Sequence, residues 1–140
     1  MKRATMMTIL AFLLIQGGAF AHQDETHTKH KTDAQMQKLH DMMPVYAQAQ
    51  AKVSEALANG DAGTIKEETG KILATIPDLK NAKPHKNRKQ IDTFRNIASA
   101  FAGDVRKTAA LAKAGDFGGA KDSFQSARMR CDECHKKFRD

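Results

Sequence analysis

Phe117-Gly-Gly-Ala120-Lys-Asp-Ser-Phe124-Gln-Ser-Ala127-Arg-Met-Arg-Cys131-Asp-Glu-Cys134-His135-Lys-Lys-Phe138 is the stretch that decides how this chain is read. Phe117, Ala120, Phe124, Ala127, Cys131, Cys134 and Phe138 recur at steps of three and four. That is the period of a helix with one apolar face. Cys131, Cys134 and His135 share that face, because residues three and four apart are neighbours on a helix. All three can therefore point at one flat ligand. Cys-x-x-Cys-His is the attachment pattern of a c-type haem. The two thiols add across the porphyrin vinyl groups, and the imidazole binds the iron. Since the cysteines fall on the core-facing stripe, the haem is expected to be tucked among the helices.

Other uses of a Cys-x-x-Cys pair fit less well. A thioredoxin-like redox pair belongs early in a βαβ unit, and here the pair follows a helical pattern. A structural zinc site takes four ligands, whereas the chain has two Cys and no spaced histidine pair follows them. A disulfide would suit an oxidising compartment but leaves His135 without a role.

Working back from Cys131, three further helices precede the last one. Asp116 caps the final helix, and Gly115 ends the one before it, which spans roughly 88–113. Its stripe is Ile91, Phe94, Ile97, Ala98, Phe101, Val105, Ala109 and Ala112. Residues 77–87, PDLKNAKPHKN, read as a connecting loop with two prolines and a basic cluster. The second helix is capped by Asp61, carries Ile65, Ile72, Leu73 and Ile76, and is expected to end at Pro77. The first helix starts at Thr32, where Thr32 and Gln35 form a capping box. Its stripe runs Met36, Leu39, Met43, Tyr46, Gln50, Val53 and Leu57, and Asn59-Gly60 stops it. Pro44 is expected to kink that helix or to split off its first turns. No run reads as a strand. The expected fold is all-α, an antiparallel four-helix bundle with a covalently bound haem over residues 32–140.

Residues 1–21 read as a secretory signal. Lys2 and Arg3 form its basic end, Met6 to Ile15 is apolar, and Ala19-Phe20-Ala21 is a cleavage site. The apolar run is too short to span a membrane. A periplasmic location follows as the expectation, with a mature chain of about 119 residues, one domain by size. Residues 22–31 hold His22, His27 and His30 and no apolar residue, and read as a disordered arm. Losing Lys2 and Arg3 lowers the formal net charge of +7 by two, to +5. Such a basic protein suits acidic protein partners. Lys80, Lys83, His85, Lys86, Arg88 and Lys89 form one cluster that could dock a redox partner. Arg128, Arg130, Lys136, Lys137 and Arg139 flank the motif and suit the haem propionates. Nucleic acid is a poor partner: the chain is exported, has no Trp and one Tyr, and shows no aromatic–basic platform.

A helical chain with one C-terminal Cys131-Asp-Glu-Cys134-His135-Lys-Lys-Phe138-Arg139 block resembles the cytochrome c prime or class II cytochrome c family. The resemblance implies that Cys131 and Cys134 form the thioethers of one haem c and that His135 is the proximal iron ligand. It also implies a homodimer through the first two helices. In that family a first-helix residue covers the other face of the iron. Counting back from Asn59-Gly60 puts Met43 there; counting forward from Thr32 puts His40 there; Met36 lies a turn earlier. A thioether raises the haem potential, and a second imidazole generally lowers it. A small residue would leave the iron open.

The leading reading is therefore a monohaem carrier of single electrons, with no enzymatic activity. Its alternative is a five-coordinate haem protein that binds nitric oxide or carbon monoxide. A peroxidase would want a distal acid–base group beside an open iron, and no His–Arg pair suggests one. No Ser–His–Asp set, phosphate loop or paired carboxylates point to hydrolysis.

Overall fold

The structure, a computed structural model, describes residues 34–139. The expected signal segment, the histidine-bearing arm, the Thr32 cap and the side chain of Gln35 lie outside the described residues. Helices α1 (Ala34–Asn59), α2 (Ala62–Ala74), α3 (Ile76–Asn81), α4 (Ile91–Lys113) and α5 (Phe117–Phe138) follow one another, with a 3₁₀ turn at Arg88–Gln90 before α4. The fold is an all-α four-helix bundle made by α1, α2, α4 and α5. No strand occurs among the described residues.

Local chemistry sets the ends of these helices. Gly60 (φ 70°) and Gly115 (φ 80°) take the left-handed conformation, which costs glycine little. Beyond them the chain folds back on the helix: Asp61 N donates to the Ala56 carbonyl at 2.9 Å and Asp116 N to the Leu111 carbonyl at 3.0 Å. This pattern satisfies carbonyls that the helix end leaves unpaired. The same two aspartates then start the next helices. Asp61 Oδ1 accepts from Thr64 N at 3.0 Å, and Asp116 Oδ1 accepts from Gly119 N at 2.8 Å. Each linker is thus a glycine stop followed by an aspartate start, which keeps consecutive helices close and reverses the chain.

Two expectations about the middle of the chain need correction. The second helix ends at Ala74, not Ile76, and Pro77 does not terminate it. Pro77 stands in the first turn of α3, behind Thr75. Proline suits that position, because its missing N–H has no helical partner there and its φ is already helical. Half of the expected loop 77–87 is therefore helix, and Leu79 on it is buried. Pro44 likewise does not split α1, which runs unbroken from Ala34 to Asn59.

The core falls into two clusters. One collects Val53, Leu57, Ile65, Ala120 and Phe124 at the end of the bundle near Gly60 and Gly115. The other, larger, holds Leu39, Met42, Tyr46, Ile72, Phe94, Phe101, Val105 and Phe138. Fully burying one such side chain contributes about 1.5–3 kcal/mol. On α1 the fully buried methionine is Met42. Met43, expected on the core stripe, is half-buried and packs against the cluster's edge. The helical period explains the shift: a seam through Leu39, Tyr46, Ala49 and Val53 passes over Met42, leaving Met43 about a hundred degrees round.

Candidate functional site

α4 packs extensively on α5 and α1 on α2, but α1 and α5 meet only sparsely. Between them lies a cavity of about 850 Å³, within the usual size range of cofactor sites. Leu39, Tyr46 and Ala47 of α1 and Phe94, Ile97 and Phe101 of α4 supply apolar wall. Cys131, Cys134 and His135 of α5 line the same space. The last helix brings them there because Ala127 and Phe138, on either side of the motif, are both buried.

The two cysteines are free and half-buried. Burial pushes the Cys131 and Cys134 thiols up to about 11, so both carry their protons at neutral pH. For Cys131 that effect is partly opposed by Gln50, whose Nε2 lies 3.7 Å from Sγ. Gln50 interrupts the apolar stripe of α1; the sequence shows the interruption but gives it no purpose. The structure supplies one, since the amide faces the cysteine nearest to it across the cavity. His135 is exposed at the margin of the cavity.

The residues read as alternatives for the far face of the iron separate clearly. Met43 lines the cavity. His40 also lines it, but its Nε2 lies 2.9 Å from His85 Nε2. Met36 is half-buried and does not line it. Met42 is turned into the core, where Tyr46 directs its hydroxyl at Met42 Sδ over a long 3.9 Å. Tyr46 Oη also accepts from Thr75 Oγ1 at 2.8 Å. Burial raises the Tyr46 phenol above its ordinary value of 10.0, and the Thr75 hydrogen bond opposes that rise.

The cationic rim is also sorted by its contacts. Arg128, Arg130 and Arg139 line the cavity, whereas Lys136 and Lys137 do not. Arg130 is committed elsewhere: Nε faces Asp104 Oδ2 of α4 at 3.5 Å, and Nη1 faces Glu133 Oε2 at 3.4 Å. Asp104 Oδ2 and Arg130 Nε are buried without a well-aligned hydrogen bond, so they satisfy each other by charge alone. Arg128 and Arg139 make no ion pair among the described residues and remain for an anionic group at the cavity edge. Asp132 and Glu133, between the cysteines, are exposed.

The donor set fits a covalently held haem. Two protonated thiols and one imidazole share a helix face, apolar side chains form the walls, and guanidinium groups stand at the rim. Such a group supplies one-electron iron chemistry when bound. Among the described residues no cluster of three or more His, Cys, Asp or Glu offers a rival metal centre.

Comparison with known families agrees with this chemistry. Fold and site together define a class, the all-α four-helix bundles whose last helix carries a Cys-x-x-Cys-His motif on an apolar cavity. Within it, residues 80–139, from the end of α3 through α5, match the model of the family described as cytochrome c'. The match supports the class II cytochrome c family and a haem c cytochrome. No curated protein and no solved structure matches the chain.

Proposed function

We propose that this protein is a periplasmic carrier of single electrons, built on one haem c attached through Cys131 and Cys134, with His135 and Met43 as its axial ligands. The observation that carries the proposal is the placement of Met43, a half-buried thioether on the α1 wall of the cavity that the α5 motif also lines. Its rivals are placed otherwise: His40 is joined to His85, and Met36 does not line the cavity. Two protein ligands hold an iron in one geometry in both oxidation states, which suits electron transfer. The apolar walls exclude water, and Arg128 and Arg139 pair with the propionates.

An acidic redox protein is the proposed partner. The loop after α3 is fastened to the end of α5, where Lys86 N donates to the Phe138 carbonyl at 3.3 Å and Asn87 Nδ2 to the Lys137 carbonyl at 2.6 Å. Lys83, Lys86, Arg88 and Lys89 thereby join Lys136, Lys137 and Arg139 in one basic surface beside the attachment motif. Such a surface steers an acidic partner towards the electron's point of exit.

Visible absorption of the haem-loaded protein tests the proposal. The reduced protein is expected to be low-spin without added ligand and to ignore carbon monoxide. Met43→Ala is expected to turn it high-spin, while Met42→Leu leaves it low-spin. A parent protein that is already high-spin and responds promptly to carbon monoxide would remove Met43 and favour the gas-binding alternative. A low-spin Met43→Ala protein would also remove Met43.

A further inference from the structure

We propose that His40 and His85 form an exchangeable site for a divalent transition-metal ion that seeks imidazole, zinc being the simplest case. The site would clip α1 to the loop between α3 and α4. The two Nε2 atoms are 2.9 Å apart, the ring centroids 5.0 Å apart and the ring planes 17° from parallel. That centroid separation is just short of the nitrogen–nitrogen distance plus two ring radii. The imidazoles therefore meet end to end, with each Nε2 aimed at the other.

Several features suit metal binding. Zinc bonds imidazole nitrogen at about 2.0–2.1 Å, so two nitrogens on one tetrahedral ion stand about 3.3 Å apart. To take such an ion the pair must open by a few tenths of an ångström and each ring must turn by about 35°, so that both lone pairs converge on one point off the nitrogen–nitrogen line. On binding, both rings must present a bare Nε2 and carry the proton on Nδ1, the tautomer of an imidazole bound to metal through Nε2. Each histidine sits beside a constraint on its backbone: His40 four residues before Pro44 in α1, and His85 directly after the buried Pro84. Among the described residues no third His, Cys, Asp or Glu completes a cluster. Water then fills the remaining positions, and the ion exchanges.

The surroundings set the selectivity. Lys83 and Lys86 flank His85 in sequence, and Lys38 lies near His40 on α1, tied to Asp78 at 3.3 Å. Asp41 holds Gln37 at 2.9 Å. Two neutral nitrogen ligands disfavour magnesium and calcium, which bind through charged oxygen. Ions that bond imidazole strongly remain: zinc, nickel and copper.

Calorimetric titration of the chelator-treated, haem-loaded protein with zinc chloride tests this, with magnesium chloride as the control. One saturable zinc equivalent and no magnesium response are expected. His85→Gln keeps an amide able to hydrogen-bond His40 but removes a metal ligand. It is expected to weaken zinc binding at least about tenfold, the low end of the loss found even for outer-shell partners. Replacing His22, His27 and His30 together by Gln is expected to leave that equivalent intact. Zinc affinity unchanged in His85→Gln, or an equivalent that disappears with the three arm histidines alone, overturns the proposal. The haem spectrum of the same samples reports on Met43 separately, so failure here and failure of the electron-carrier reading are distinguishable.

Discussion

Phe138→Ala should be a severely damaging truncation near the site. Phe138 is 3% exposed and is the last residue of α5. Its ring meets Phe94 edge-on, with centroids 5.3 Å apart and planes at 88°. Truncating a buried Phe to Ala costs about 3–5 kcal/mol, rising with the space the structure cannot refill. Of that, roughly 0.5–1.5 kcal/mol belongs to the aromatic pair. Phe138 borders the cavity, so its loss loosens the packing beside the motif itself. A loss of about 4 kcal/mol follows, large against the 5–15 kcal/mol of a typical domain. Guanidinium unfolding of the haem-loaded protein, followed by far-ultraviolet circular dichroism, measures it as a lower midpoint at unchanged slope. Phe94→Leu, combined in a double-mutant cycle, should reveal a coupling of about 1 kcal/mol. Amide exchange should also quicken first over the last turn, which carries His135 and follows directly on Cys134. A loss below about 1.5 kcal/mol would show that Phe138 does not anchor the helix end, and the account of how the motif is held would fail.

Two further outcomes concern the scaffold. Lys71 Nζ at 2.7 Å and Lys52 Nζ at 3.2 Å hold the buried Glu68 carboxylate, and chiefly the Lys71 hydrogen bond lowers its pKa below 4.5. A lowered folded pKa stabilises the protein above the unfolded value, and the contribution fades as pH falls through the folded value. Denaturant titrations should therefore show Glu68→Gln weaker than the parent at pH 7, with the gap narrowing below about pH 4.5; a gap that widens in acid would contradict the assignment. Asp116→Ala removes the acceptor for Gly119 N and should cost about 1 kcal/mol in thermal or denaturant unfolding. No measurable loss there would mean that α5 starts equally well without its cap.

The failures of sequence reading are as instructive as its successes. Asp61, Asp116, Gly60 and Gly115 act on residues within five positions, so their roles were legible in order. The spacing of Phe117 to Phe138 set the apolar face of α5 for the same reason. Pro77 was misread because proline ends one helix and starts another equally well; only the burial of Leu79 beyond it selects the second outcome. Met42 and Met43 are adjacent and chemically alike. Which one enters the core depends on where α2 and α4 press on α1, and periodicity alone leaves that choice open.

What the one-dimensional order of residues determined here is everything governed by contacts along a helix: four amphipathic segments, their stops and starts, and two thiols and an imidazole on one face. Tertiary packing alone decided which distant groups meet. Gln50 reaches Cys131 across 81 positions, His40 meets His85 across 45, and Arg130 turns to Asp104. A helix face is fixed by backbone geometry that repeats every few residues, whereas a partner on another helix is chosen by how whole helices pack, which no local repeat encodes.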